Sequence, residues 1–145
     1  MLKSKKKISP AQAAETLVLK SDPEEITKVK LFLEKMNRKI KLDDVQFNKL
    51  LVATTEAVNN SIIHGNKHDI SKKVTLKCLI KGRQLTVTIT DEGKGINLSS
   101  LPDPLSQENI LRENGRGVFL MRSLMDEVTF KVKARSASVT MKMKI

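Results

Sequence analysis

The sequence has no tryptophan and no tyrosine, and its aromatic content is four phenylalanines. That scarcity argues against a surface built to stack nucleobases, the usual device of single-stranded nucleic-acid readers. A single cysteine, Cys78, excludes an intrachain disulfide. It sits inside an alternating apolar run and reads as a buried thiol in a reducing cytoplasm. No apolar run approaches the roughly eighteen residues a membrane span needs. The N-terminus, Met-Leu-Lys-Ser-Lys-Lys-Lys, is basic but has no apolar core behind it, so no signal peptide is expected. Acidic residues are also short: 16 Asp and Glu stand against 27 Lys and Arg, a net charge of +11. Such an excess favours anionic partners, whether nucleotide phosphates, nucleic acid or an acidic protein surface. No zinc or RNA-binding signature singles out nucleic acid among them.

What remains is a chain of 145 residues, 39% hydrophobic and 30% charged, which suits one globular domain with its own core. Residues 1–13 read as a basic flexible tail and 14–145 as the domain. Glu15 to Lys20 alternates enough, through Leu17 and Leu19, to form a strand. Ser21-Asp22-Pro23-Glu24 resembles a capping box, with Ser21 as the cap and Pro23 in the first turn. A helix to about Asn37 follows. Asp43 or Asp44 caps a second helix that ends at Gly65-Asn66, where glycine tolerates the left-handed conformation of a helix stop.

The second helix carries the first chemical signal. Glu56, Asn60 and His64 fall four apart and share a face. A carboxylate one turn before an amide suits a hard cation such as Mg²⁺, which takes oxygen ligands and keeps waters and phosphates.

Beyond Gly65 the hydrophobic period changes to two. Val74, Leu76, Cys78 and Ile80 share one face of a strand; Leu85, Val87 and Ile89 share one face of the next. Asp91 is in phase with them, so its carboxylate points to the buried side, a costly placement without a hydrogen-bonding partner. Asp91-Glu92-Gly93-Lys94-Gly95 opens a long aperiodic stretch, Ile96 to Asn114, of the kind that forms lids and binding loops. Gly115-Arg116-Gly117 closes it and opens a third helix. Glycines there let backbone approach a ligand, and a helix N-terminus is a ready phosphate site. Two alternating strands, 128–132 and 139–145, end the chain. The order of elements predicts an α+β fold, a two-layer sandwich of a mixed, mostly antiparallel sheet with helices on one face.

Glu56 to Gly65 resembles the N box of the GHKL (histidine kinase-like) ATPases, and Asp91-Glu92-Gly93-Lys94-Gly95 resembles their first glycine box. Gly115-Arg116-Gly117 resembles the second. The short chain, with Asp103-Pro104, Gly-Arg-Gly-Val-Phe-Leu-Met and Leu-Met-Asp-Glu-Val, is most similar to the anti-sigma factor serine/threonine kinases of that superfamily. The resemblance implies a Bergerat-type fold that binds ATP. Asn60 would then ligate Mg²⁺, and Asp91 would accept a hydrogen bond from the adenine amine. Gly93, Gly95, Gly115 and Gly117 would shape the nucleotide pocket, with Lys94, Arg112 and Arg116 either touching phosphates or solvated. Glu56 would be the general base, and His64 would cap or pack the helix end. The implied partners are a sigma factor and an anti-anti-sigma (STAS-like) antagonist, with a homodimer as a family expectation and a cytoplasmic location. Two rival readings share the motifs: a module that binds ATP and a partner but transfers nothing, and the detached ATP-binding domain of a histidine kinase. A basic nucleic-acid binder is a third.

Overall fold

The computed structural model describes residues 12–93 and 113–145. Alternating residues build a five-stranded sheet: β1 Gln12–Lys20, β2 Lys73–Lys81, β3 Gln84–Asp91, β4 Glu127–Val132 and β5 Ala137–Lys144, in spatial order β1-β2-β3-β5-β4. β1 begins at Gln12, inside the stretch read as tail. Every neighbouring pair among the described residues is antiparallel, so the mixed sheet expected from sequence has no parallel pairing there. The reason lies in the connections. The register sets Lys20 opposite Lys73, so the two helices between β1 and β2 bring the chain back to the end it left. β3 and β4 do run in the same direction across a helical crossover, but β5 inserts between them and pairs with both.

One face of the sheet is covered. Leu76, Cys78, Val87, Ile89, Val139 and Met141 are buried on it, and Leu33, Leu50, Val58 and Met121 meet them from the helices. Removing each such side chain from water is worth about 1.5–3 kcal/mol. This periodic burial fixes the strand register, because a slip of one residue would expose the whole set. Cys78 belongs to this core, and burial pushes its thiol up to about 12. Its thiolate is absent at neutral pH, so it is an inert structural residue.

The first helix departs from the sequence expectation at both ends. A short 3₁₀ turn, Pro23–Glu25, precedes α1 (Ile26–Ile40). Its cap is Asp22, whose Oδ1 accepts the Glu24 N–H at 3.0 Å, and not Ser21. Ser21 is buried and its hydroxyl donates to the Lys72 carbonyl at 2.6 Å, so tertiary bonding took the residue that local pattern assigned to the cap. α1 runs past Asn37 and stops at Lys41, a left-handed residue (φ 55°). Asn37 makes that stop hold, since its Oδ1 accepts the Leu42 N–H at 2.7 Å. α2, Asp44–Asn60, starts as expected, with Asp43 Oδ1 accepting the Gln46 N–H at 2.8 Å. α3, Glu113–Leu124, packs against α2.

Candidate functional site

The C-terminal ends of β1 and β3, the start of β2 and the end of α2 meet at one edge of the molecule. α2 does not stop at Asn60. Its coil widens into a π turn, Ser61–Gly65, closed by the Asn66 N–H donating to the Ser61 carbonyl at 2.7 Å. π segments of this kind are rare and concentrate at functional sites.

Gly65 is not the left-handed stop that the sequence suggested. The left-handed residues are Lys67 (φ 52°) and His68 (φ 60°), and Gly65 is required for space instead. A Cβ on it would lie 2.5 Å from Asp91 Cγ, inside van der Waals contact. Gly93 is equally constrained, for its Cβ would lie 2.5 Å from the Gly65 carbonyl carbon. The Gly65 backbone is thus held between the Asp91 carboxylate and Gly93.

Asp91 faces inward, as its parity requires, with 6% of its surface exposed. Its Oδ1 accepts the Gly93 N–H at 2.8 Å. Burial pushes its carboxyl above the usual carboxylate range; the Gly93 N–H, the Ser61 hydroxyl and the Lys72 charge oppose that push. Two donors leave acceptor capacity on the carboxylate, and it borders an open cleft. Asn60, Ser61, Gly65 and Asp91 form one wall of that cleft; Met121, Phe130 and Val139 give it apolar surface. Apolar walls with a few convergent polar groups are the usual make-up of a small-molecule site.

α3 supplies the other boundary. It begins at Glu113, so Gly115 and Gly117 lie within its first turns rather than ahead of it, as the sequence suggested. Gly117 needs its missing side chain: a Cβ there would sit 3.1 Å from Glu56 Oε2 and 3.2 Å from Asn60 Nδ2. Glu56 and Asn60 therefore converge on α2 beneath Gly117. Among the described residues the Asn60 Nδ2 is buried without a hydrogen-bond partner, a state that ordinarily costs about 1–3 kcal/mol. A buried amide beside a carboxylate is a donor set that fits a polar ligand or a hydrated cation. Among the described residues no three His, Cys, Asp or Glu side chains cluster as metal ligands. A divalent cation at Asn60 would complete its shell from water and ligand phosphate, as Mg²⁺ usually does.

The remaining candidates separate. His64 lines a neighbouring groove with Lys67, Lys72 and Glu92, and among the described residues its Nε2 is buried without a hydrogen-bond partner. Arg116 is exposed. Lys94, Gly95 and Arg112 lie outside the described residues.

Sequence reading missed Asn66, which ties the site together. It is 1% exposed; its Nδ2 donates to Ser21 Oγ at 2.8 Å and to the Lys73 carbonyl at 3.0 Å, while its Oδ1 accepts the Glu92 N–H at 2.8 Å. The available signal was a polar residue after the helix-ending glycine, which by itself reads as punctuation. Asn66→Ala leaves these partners unsatisfied and is expected to cost about 2–4 kcal/mol of stability, measurable by urea unfolding. A loss below about 0.5 kcal/mol would show that water replaces the amide.

Over residues 19–143 the chain matches the family described as histidine kinase-like ATPase domain. It is similar to a protein named anti-sigma F factor from Clostridium acetobutylicum, 36% identical over 108 residues that cover 71% of this chain and 70% of that one. A protein of the same name from Anoxybacillus flavithermus is 34% identical over 95 residues, 64% of this chain and 65% of that one. The chain thus spans just under two thirds of the Anoxybacillus relative's length. The crystal structure of the RsbU and RsbW domains of a Mycobacterium tuberculosis protein shares the fold, with a TM-score of 0.68 at 14% identity over 91% of this chain and 32% of that one. The buried aspartate, the two glycines that make room around it and the asparagine-bearing helix lie within the matched span, and the chain belongs to the histidine kinase-like ATPase domain family.

Proposed function

We propose that this chain is an anti-sigma factor with ATP-dependent serine/threonine kinase activity, which binds a sigma factor and phosphorylates a STAS-like antagonist in the cytoplasm. The observation that carries the nucleotide part is the Asp91 carboxylate, buried beside a cleft and kept clear by Gly65. An acceptor fixed at the end of an apolar slot fits the exocyclic amine of adenine. The orphaned Asn60 amide fits the other end of the ligand: turned by half a revolution, it offers a carbonyl oxygen to Mg²⁺. Bound Mg-ATP would supply the transferable phosphoryl group, and phosphoryl transfer asks the protein mainly for positioning and charge stabilisation.

The chain's own residues divide the work. Asp91 orients the base, and Gly93, with Gly65 behind it, shapes that end of the pocket. Gly115 and Gly117 bring α3 close to α2; Arg116, and Gly95 outside the described residues, are the further cofactor-binding candidates. Glu56, half-buried and one turn from Asn60, would accept the proton of the partner's hydroxyl as its oxygen attacks the γ-phosphorus of ATP, the bond from that phosphorus to the bridging oxygen breaks and ADP leaves. Asn60 holds the metal. The choice of sigma factor and antagonist as partners is supported by the relatives' name, and a hydroxyl acceptor by Glu56. No helix among the described residues is long and apolar enough to cross a membrane.

The test is transfer itself. Incubation with Mg²⁺, ATP labelled at the γ position and purified STAS-like antagonists should give one antagonist bearing acid-stable phosphoserine or phosphothreonine. Chelating Mg²⁺ should stop it. ATP binding with no transfer to any antagonist would reduce the chain to a binding module, and acid-labile phosphohistidine would make it a histidine kinase domain.

A further inference from the structure

The sheet has a second face, turned away from α1, α2 and α3, and no described element covers it. The strand register places Lys73, Lys77 and Lys81 of β2, Lys131 of β4, and Lys142 and Lys144 of β5 on that face, between rows of threonine. Its acidic residue among the described strands is Glu127, which pairs with Lys142 at 3.6 Å. A solvated antiparallel face is ordinary, but cross-strand charges normally alternate in sign, because opposite charges directly across stabilise and like charges destabilise. Here Lys20 stands directly opposite Lys73, and Lys77 lies between Thr16 and Thr88 with no carboxylate across from it. The sheet therefore retains an unfavourable lysine pair and, among the described residues, leaves most of its positive charge without a partner.

We infer that this lysine–threonine face is a docking surface for a protein partner bearing an acidic, carboxylate-rich surface. The inference goes beyond the proposed function and stands whether or not the chain transfers phosphate, since the face lies opposite the helices that form the cleft. Charge complementarity selects the occupant. A second copy of this chain would set lysines against lysines. A single nucleic-acid strand would want aromatic platforms, and the exposed face holds threonine, lysine and the aliphatics Val18 and Leu79 but no aromatic residue among the described strands. Along β2 the lysines recur every four residues, roughly 13 Å apart on a strand, with Thr75 between the first two and Leu79 between the last two, and the neighbouring Thr86, Thr88 and Thr90 of β3 add hydroxyls that donate to carboxylates. Rim charges of this sort set association rate and salt dependence more than affinity.

The probe is a poly-L-glutamate of about twenty residues at physiological salt, titrated against the full chain and two triple variants of equal net charge. Lys77→Glu/Lys81→Glu/Lys144→Glu alters the sheet face; Lys30→Glu/Lys35→Glu/Lys49→Glu alters exposed positions on α1 and α2. The sheet-face triple should weaken poly-glutamate binding at least about tenfold and the helix triple about threefold or less. Should the sheet-face triple fail to fold by circular dichroism, the corresponding Lys→Gln triple replaces it. Equal losses in both triples would overturn the proposal, as net charge alone would then explain binding. So would tighter binding of a 20-mer DNA, single or double stranded, lost with the same triple. A wild-type dimer that the sheet-face triple dissociates would assign the face to a second copy. Nucleotide binding, measured in parallel, reports on the cleft separately.

Discussion

Asp91→Asn is expected to weaken ATP binding about thirtyfold while making the empty protein more stable at neutral pH. The two effects share one cause. A hydrogen bond to a charged group is worth about 1.5–3 kcal/mol, and asparagine removes the charge that strengthens the bond to a base amine. In the free protein the same charge is buried, and its carboxyl is pushed above the usual range chiefly by desolvation. A carboxyl whose folded-state pKa is raised contributes stability that is fully present below its unfolded pKa. That contribution is lost as pH rises through the folded pKa, so at pH 7 the ionised Asp91 weighs against folding. Asparagine keeps the Oδ1 that accepts the Gly93 N–H and sheds the charge. The gain in Tm over wild type should be largest at neutral pH and shrink on acidification through the carboxylate range. Calorimetric titration with ATP, and thermal unfolding from about pH 4 to pH 8, check both halves. Unchanged affinity would remove Asp91 from the nucleotide reading. A variant less stable at every pH would show that the Ser61 and Gly93 bonds outweigh the cost of burial.

The sequence exposed this residue because a period of two is rigid: once Leu85, Val87 and Ile89 face the core, Asp91 faces it too. The same rigidity made the strands and the helix-covered face legible. Failures cluster where tertiary contact overrides local pattern. Ser21 looks like a cap in one dimension but is drawn into a hydrogen-bond chain between Asn66 and the Lys72 carbonyl, leaving the cap to Asp22. Gly65 looks like a helix stop, yet the spatial neighbour that demands glycine lies on another strand, invisible to any window along the chain. His64 illustrates the same limit from the other side. Four-residue spacing put it on the Glu56–Asn60 stripe, but the π turn widens the coil after Asn60 and carries it to a different groove. The pair that survives, Glu56 and Asn60, lies wholly within regular α-helix, where spacing and geometry agree.

That pair gives the second large effect, and the two residues should fail differently. Glu56→Gln preserves shape and hydrogen bonding but cannot accept a proton. Phosphate transfer to an antagonist should fall by about two to four orders of magnitude, the usual worth of a positioned general base. ATP affinity should stay within about threefold, because Gly117 leaves the same room for glutamine as for glutamate. Asn60→Ala removes a metal ligand, and with it the component of ATP affinity that depends on Mg²⁺; affinity measured in chelator should be the same for wild type and variant. Its effect on folding should be small, because the amide nitrogen it deletes has no partner to lose among the described residues. Single-turnover transfer and ATP binding with and without Mg²⁺ separate these outcomes. Loss of both binding and transfer in Glu56→Gln would mean the carboxylate holds the metal, not the proton. An Asn60→Ala protein with intact Mg²⁺-dependent affinity would leave the buried amide without a role in the site. If both hold, the convergence of Glu56 and Asn60 beneath Gly117 is the chemical half of a site whose recognition half is Asp91, and the π turn after Asn60 joins the two.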